Sequence, residues 1–355
     1  MTVPSPTLTA DPSWLTEQLA IGGYIDVGDE VIGVAAEALA FTGATSDMAR
    51  LRVTYRGEHP RYPKTMIAKI RGRDELRAEM DAALELFARE AFFYEELAKR
   101  LPIRTPRAFA VGDGDESALI LEDLAGLRAG DQSEGMAVED AERCVEALAD
   151  LHSAFWQADI LDDPRLMRPQ QGVFATTTAQ LMASGVPVAR TLFASEYSAD
   201  ELNALPEQAD AWIALLTQLG DGPKTLIHND CRADNLFFAT DGSPVFVDWQ
   251  MVAVARASQD LANLLAGSLA SSDLSTHWHQ LLTRYHIRLG AGGVVDYSFD
   301  DLLVHYRQSV LWPLGQGLAL LGALSGGDAR RVGPCIFRRA LDQAIELDTF
   351  AAFQR

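Results

Sequence analysis

The sequence predicts an α+β fold in two parts, a small sheet-rich N-lobe followed by a larger, mainly helical C-lobe. Three observations carry this expectation. Short β-branched runs crowd the first 121 residues, stretches with helical spacing dominate after Leu124, and one strand-like island, "NLFFATDGSPVFVDWQ", interrupts the helical half. The expected division is 1–121 for the N-terminal lobe, 122–126 for a hinge and 127–355 for the C-terminal lobe.

The elements follow in order. "LRVTYRG" and "TMIAKIRG" are β-branched runs bounded by Gly and Pro, the pattern of strands. In "DELRAEMDAALELFAREAFFYEELAKRL" the residues Leu76, Met80, Leu84, Phe87, Ala91, Tyr94, Ala98 and Leu101 recur at steps of three or four, which predicts one continuous helical face. "PRAFAVGDGDESALILEDL" sets two apolar runs around Gly112-Asp113-Gly114, a hairpin signal. Beyond Leu124, "VEDAERCVEALADLHSAFW" predicts a long helix, and Asp200–Leu219, Leu261–Leu269 and Val310–Leu324 predict more. The island turns at Asp241-Gly242 between two apolar runs, so it reads as a second hairpin.

Composition limits the partners. The chain has 355 residues, 48% hydrophobic and 23% charged, which is ordinary globular composition. Its net charge of −20 repels phosphate backbones and anionic lipid, so neither nucleic acid nor membrane is expected as a partner. The cysteines Cys144, Cys231 and Cys335 are odd in number and far apart, which supports neither a zinc knuckle nor a disulfide framework and fits a reducing cytoplasm. The first residues show no basic stretch followed by an apolar run, so no secretory signal is expected. "VLWPLGQGLALLGAL" is under 18 residues and holds Pro313, Gln316 and three glycines, which suits a buried helix rather than a span.

The chemistry gathers just before the second hairpin, in "LIHNDCRADNLFF". Asp230 and Asn235 are five apart, and Asp248 follows Asn235 by 13 residues at the far end of the hairpin, which folds it back beside Asn235. Two oxygen ligands without a thiolate or imidazole pair suit Mg²⁺, which keeps waters and leans on substrate phosphates. Asp230 can then accept a proton from a hydroxyl, giving a base and two metal ligands in the order of a phosphoryl-transfer site. Asp and Asn before a strand also form ordinary turns, and H-x-D-x-x-x-x-N alone is a weak motif. Such chemistry further needs a cation for the nucleotide phosphates, held by a helix carboxylate. Lys69 lies inside the apolar strand "TMIAKI", and Glu90, 21 residues on, borders the apolar face of the next helix. The competing readings are an edge-strand lysine and a solvated helix charge, and Glu79, Glu85 and Glu96 are the other carboxylates within reach of the argument.

Taken together, these motifs resemble the aminoglycoside phosphotransferase family within the protein-kinase-like superfamily. "HNDCRADN" is similar to its H-G-D-x-x-x-x-N loop, and "VDW" stands where it has a second metal aspartate. The nearer likeness is to the ecdysteroid-kinase-like and choline-kinase-like branch, on Asp248-Trp249-Gln250, "LILEDL", "LADLHSAFW" and "DLANLLAGSL", from residue 40 to about 270. The resemblance implies a bilobal kinase-like fold whose N-terminal lobe binds ATP. It implies Asp230 as catalytic base, Asn235 and Asp248 as Mg²⁺ ligands, Lys69 on the phosphates of ATP and Glu90 fixing Lys69. It also implies that the Glu122 carbonyl and Leu124 amide bind the adenine edge, and that Gly43, Thr45 and Ser46 donate hydrogen bonds from a phosphate-covering loop. That loop has one glycine, and Asn229 stands where glycine is usual. His228 reads as a brace for the loop, His152 as a packed helix residue, and Asp260 as either the family's buried loop anchor or an acidic helix start. There is no G-x-x-x-x-G-K-[ST] and no A-P-E segment, which excludes a P-loop kinase and favours a small acceptor over a protein. The resulting expectation is a kinase acting on a hydroxylated small molecule. The alternatives are an idle nucleotide-binding module and an antibiotic kinase of the aminoglycoside type, and the acceptor and oligomeric state are not legible.

Overall fold

The structure, a computed structural model, describes residues 11–39, 46–57, 59–72, 75–112, 118–323 and 327–353. The contacts divide the chain into two compact units: Met1–Arg100 with Thr105–Leu127, and Leu101–Arg104 with Arg128–Arg355. The architecture is α+β, with an antiparallel sheet in the N-terminal unit and mainly helices in the C-terminal one.

The first unit opens with α1 (Pro12–Ile21), started by Asp11, whose carboxylate accepts the Ser13 amide at 3.0 Å. Strands β1 (Val31–Ala38), β2 (Ser46–Tyr55) and β3 (Thr65–Arg71) follow. Helices α2 (Glu75–Leu84) and α3 (Leu86–Phe92) come next, then β4 (Ala108–Val111) and β5 (Ala118–Glu122). The five strands form one antiparallel sheet in the order β1-β2-β3-β5-β4. Side chains alternate across it. Met66, Ala68 and Ile70 of β3 join Ala118 and Ile120 of β5 in a core with Leu15 and Leu19 of α1. Lys69 points to the other face. The turn expected at Gly112–Gly114 lies mostly outside the described residues, although β4 and β5 do pair.

The long helix expected from Asp74 onward is broken. Glu85 has a φ of 52°, which separates α2 from α3. The cause is Asp81, whose Oδ1 accepts the Phe87 amide at 2.7 Å while its Oδ2 pairs with Arg71 at 2.8 Å. A carboxylate cannot reach an amide six residues on in an unbroken helix, where the two positions lie on different faces. Arg89 then donates to the Leu84 carbonyl, left free at the break, at 2.8 Å. Beyond Phe92 the chain continues as a π-helical stretch, Phe93–Leu97, and a 3₁₀ turn, Ala98–Arg100.

The second unit contains β6 (Arg128–Ala129), α4 (Val138–Ala154), α5 (Gly172–Leu192), α6 (Ala199–Asn203) and α7 (Ala209–Leu219). Then come β7 (Thr225–Ile227), β8 (Leu236–Phe238), β9 (Pro244–Phe246) and β10 (Ala253–Ala255). Five helices close the chain: α8 (Ala257–Ser268), α9 (Ser271–Ala291), α10 (Phe299–Ser309), α11 (Leu311–Ala323) and α12 (Gly327–Glu346). The helix expected over Asp200–Leu219 is two helices. Pro206 falls between them, and its carbonyl accepts the Trp212 indole N–H at 2.7 Å. α8 is buried along its whole length, so it is the axis around which the other helices gather. Among the described residues no helix is long and apolar enough to cross a membrane.

Helix α11 approaches α5 closely because Gly185 carries no side chain. A Cβ there would overlap the backbone carbonyl of Leu318, which cannot move aside as a flexible side chain could. Gly185→Ala gains at most about 1 kcal/mol of helix propensity and loses about 1–3 kcal/mol to overpacking. We therefore expect a Tm several degrees lower by thermal circular dichroism; an unchanged or raised Tm would contradict the packing.

Candidate active site

In the first unit, β3 carries Lys69 between Ala68 and Ile70, paired across the sheet with Met48 and Leu119. Its Nζ lies 2.6 Å from Glu90 Oε2 on α3, and both side chains are buried, 6% and 1% exposed. A cation and carboxylate so far from water must be paired, because either alone would carry a desolvation cost of several kcal/mol. Glu79, Glu85 and Glu96 are not the partner. The break at Glu85 rephases α3 and turns Glu90 inward.

The connection after β5 is also fixed. Glu122 ends β5 opposite Met66, and its amide donates to the Arg107 carbonyl at 2.8 Å. The Leu124 carbonyl accepts the Leu127 amide at 2.8 Å. Between them Asp123 pairs with Arg50 of β2 at 2.8 Å. Burial pushes the Asp123 carboxyl up, but the Arg50 guanidinium and the Ala125 amide outweigh it and hold it below its usual range. Ser46 begins β2 opposite Arg71 and is buried, with no hydrogen-bond partner for its hydroxyl among the described residues. Gly43 and Thr45 lie outside the described residues.

In the second unit two strand pairs hold the polar loop at its ends. β7 leads into it and pairs with β10, Ile227 opposite Ala253. β8 leads out and pairs with β9, Leu236 opposite Phe246, and the Val247 amide donates to the Asn235 carbonyl at 3.0 Å. Asp248 therefore comes back beside Asn235, in a left-handed conformation with φ 64°. Inside this frame one buried carboxylate organises the turn. Asp260 accepts the His228 amide at 2.7 Å and the Asn229 amide at 2.8 Å, one on each oxygen. His152 lies 3.4 Å from Asp260 Oδ2, and its other nitrogen is 2.9 Å from the Tyr285 hydroxyl. The helix histidine is thus a brace for the anchor.

His228 is held at both nitrogens. Nε2 lies 2.9 Å from the Val247 carbonyl, which only accepts, so this nitrogen carries the proton; Nδ1 accepts the Asp230 amide at 3.3 Å. This ties the loop to the residue preceding Asp248. Asn235 donates its Nδ2 to the Asp230 carbonyl at 2.9 Å and to Asp230 Oδ2 at 2.8 Å. Both partners only accept, so the amide orientation is set and Oδ1 is turned the other way. Arg232 pairs with Asp230 at 3.3 Å and with Asp234 at 2.9 Å. Burial pushes the Asp230 carboxyl up, Arg232 pulls against it, and the Asp248 charge adds to the rise.

Several residues that build this loop left no signal in the sequence. Ala233 donates to Gln132 Oε1 at 2.8 Å and to Ser268 Oγ at 3.1 Å. The Asn229 side chain accepts from Gln259 at 2.6 Å, and Gln259 in turn accepts from Gln170 at 2.7 Å. Isolated glutamines and serines carry no periodicity or spacing that would single them out.

Mg²⁺ can be tested against this donor set. The carbonyl oxygen of Asn235 and the carboxylate of Asp248 are hard, oxygen-only ligands. That suits a cation which takes few protein oxygens and completes its shell with water and phosphate.

The same arrangement of elements occurs in solved kinases of small molecules. The choline kinase of Cryptosporidium parvum Iowa II superposes with a TM-score of 0.55 at 12% identity, over 96% of each chain. An ethanolamine kinase of Plasmodium vivax gives 0.53 at 12%, over 90% of this chain and 85% of that one. The gentamicin complex of APH(2")-IIa gives 0.52 at 13%, over 99% of each. At such identities what is shared is the kinase-like fold. The family is settled by sequence: the model of the ecdysteroid kinase-like family matches residues 41–291, and the chain belongs to that family. A search of curated protein sequences finds no match.

Two outcomes follow from the geometry. Lys69→Met removes the cation from beside the buried Glu90 carboxylate and should cost about 3–5 kcal/mol in urea unfolding; adding Glu90→Gln should recover most of it, whereas a solvated pair would show neither effect. Asp260→Asn retains one acceptor for two amides, so it should lose about 1–3 kcal/mol and also slow hydrogen exchange less effectively across 228–230, read by mass spectrometry.

Proposed function

We propose that the protein is an ATP- and Mg²⁺-dependent phosphotransferase that moves the γ-phosphate to a hydroxyl of a small molecule. The observation that carries this reading is the joint fixing of Asp230, Asn235 and Asp248 by two strand pairs and one buried anchor. A polar turn with only a structural task does not need three acidic or amide side chains brought to one place.

The roles divide as follows. Asp230 orients the acceptor hydroxyl and takes its proton as the oxygen bonds to the γ-phosphorus; the bond from that phosphorus to the β–γ bridging oxygen breaks and ADP leaves. Asn235 keeps the Asp230 carboxylate in place through Nδ2. Arg232 faces the same carboxylate and favours its ionised form. Asn235 Oδ1 and the Asp248 carboxylate would hold Mg²⁺, which when bound neutralises charge on the nucleotide phosphates. Lys69, held by Glu90, supplies a cation to those phosphates, and Ser46 supports the phosphate-covering loop with Gly43 and Thr45. The Glu122 carbonyl and Leu124 amide take the adenine edge. The net charge of −20 suits a small acceptor rather than a polyanion.

An ADP-release screen over amino alcohols, sterols and aminoglycosides is expected to find an acceptor. On it, Asp230→Ala should lower turnover by about 10²–10⁴-fold while ATP with Mg²⁺ still raises Tm. Asp248→Ala should abolish the Mg²⁺-dependent part of that rise. Full turnover in Asp230→Ala, or no stabilisation of the wild-type chain by ATP and Mg²⁺, would refute the reading.

A further inference from the structure

A cavity of about 330 Å³ opens in the second unit, and none of its lining residues belongs to the catalytic loop or the hairpin after it. It is lined by the segments that follow α4 and precede α5, the turn before β7, and Val254 of β10. Its walls differ with depth. Val254 and Gln170 are buried, Lys224 and Arg168 are half-buried, and Asp159 and Asp162 are exposed at the mouth.

The two cations are unusual in a chain that carries 50 acidic residues against 30 basic ones. Lys224 donates to the Gly220 carbonyl and Arg168 to the Leu161 carbonyl, 2.5 Å in the second case. Among the described residues neither has a carboxylate within ion-pair distance. Burial, and then the Arg256 charge, push the Lys224 ammonium down to about 8. Two partly desolvated cations facing one cavity make a place for an anionic group, whose attraction is strengthened by the reduced dielectric there. A bare anion would have to pass two carboxylates at the mouth. A molecule with a positive group at its other end would meet them favourably. The volume is at the small end for ligand sites, about 300–1,000 Å³, which fits a molecule the size of an amino acid.

One lining residue also connects to the catalytic loop. Gln170 donates to Gln259 at 2.7 Å, Gln259 to Asn229 at 2.6 Å, and Asn229 to Met167 Sδ at 3.5 Å. All three donors run in the same direction, so turning one amide over requires turning the others. Asn229 immediately precedes Asp230 and carries the backbone amide that Asp260 holds.

We infer that this cavity is a second ligand site for a small zwitterion, its anionic group against Lys224 and Arg168 and its cationic group at Asp159 and Asp162, and that its occupancy is transmitted to the catalytic loop through Gln170, Gln259 and Asn229. A ligand that donates a hydrogen bond to Gln170 favours the observed direction of the amide chain and steadies the loop; the coupling is then a difference in affinity between two states of that chain.

The test uses the full chain and calorimetric titration with taurine, γ-aminobutyrate and inorganic phosphate. At least one zwitterion is expected to bind, with a Kd raised about tenfold or more in Lys224→Met and Arg168→Met, both half-exposed positions. Hydrogen exchange over 226–238 should slow on binding in the wild-type chain, and binding should leave it unchanged in Gln259→Met and in Asn229→Gly, where glycine accepts the positive φ of 68°. No binding by either zwitterion, phosphate binding as tightly as they do, or full affinity in Lys224→Met overturns the site. Undiminished protection of the loop in both amide variants overturns the transmission. Neither readout depends on catalysis, so these failures are distinct from failure of the phosphotransferase reading.

Discussion

A single buried carboxylate, that of Asp260, holds the backbone amides of His228 and Asn229 together, one on each oxygen. The entry to the second unit's polar loop is set by that constraint. With those two amides fixed, the chain must turn at Asn229 and present Asp230 beyond the turn. His228 then reaches the Val247 carbonyl, which ties the loop to the strand end that delivers Asp248. Asp260 itself is supported by His152, and His152 by Tyr285. The anchor is therefore the innermost of a series of buried polar groups, each satisfied by the next, as the low-dielectric interior requires.

The turn also explains a departure from the family pattern. Asn229 stands where glycine is usual, and its φ is 68°. Glycine meets no penalty there, and asparagine is one of the few other residues that tolerates a left-handed backbone. The substitution brings an amide into a wholly buried position, where it needs partners. Gln259 and Met167 provide them, and Gln259 is held in turn by Gln170. A backbone conformation that another chain obtains from glycine is here coupled to a side-chain network that extends as far as a cavity wall.

In the first unit the corresponding constraint is the pairing of Lys69 with Glu90. Period-2 alternation puts Lys69 on the face opposite the α1 core, and the break at Glu85 turns Glu90 toward it. The break costs a left-handed residue and an interrupted helix. It is maintained by Asp81, which accepts the Phe87 amide in the first turn of α3 and pairs with Arg71 on the strand that carries Lys69. The interrupted helix and the buried ion pair are thus two results of the same local arrangement.

The sequence by itself determined the α+β division, the strands around Lys69, the hairpin of β8 and β9, and the grouping of Asp230, Asn235 and Asp248. These are legible because they rest on short-range regularities: alternation, helical spacing, an Asp-Gly turn and fixed intervals of five and 13 residues. Glu90 could be singled out among four carboxylates only by its place on the helix, and the continuous helix assumed for it was wrong. Tertiary structure alone decided the break at Glu85, the split at Pro206, the work of Asp260, and the contacts of Gln132, Gln170 and Gln259. The two helix breaks turn on contacts only six residues apart, whereas the work of Asp260 and of the glutamines depends on groups meeting across many residues, such as the 32 that separate His228 from Asp260 and the 101 between Gln132 and Ala233. Partners that far apart leave no local pattern, because what selects them is the need to satisfy a buried polar group in one particular packed interior.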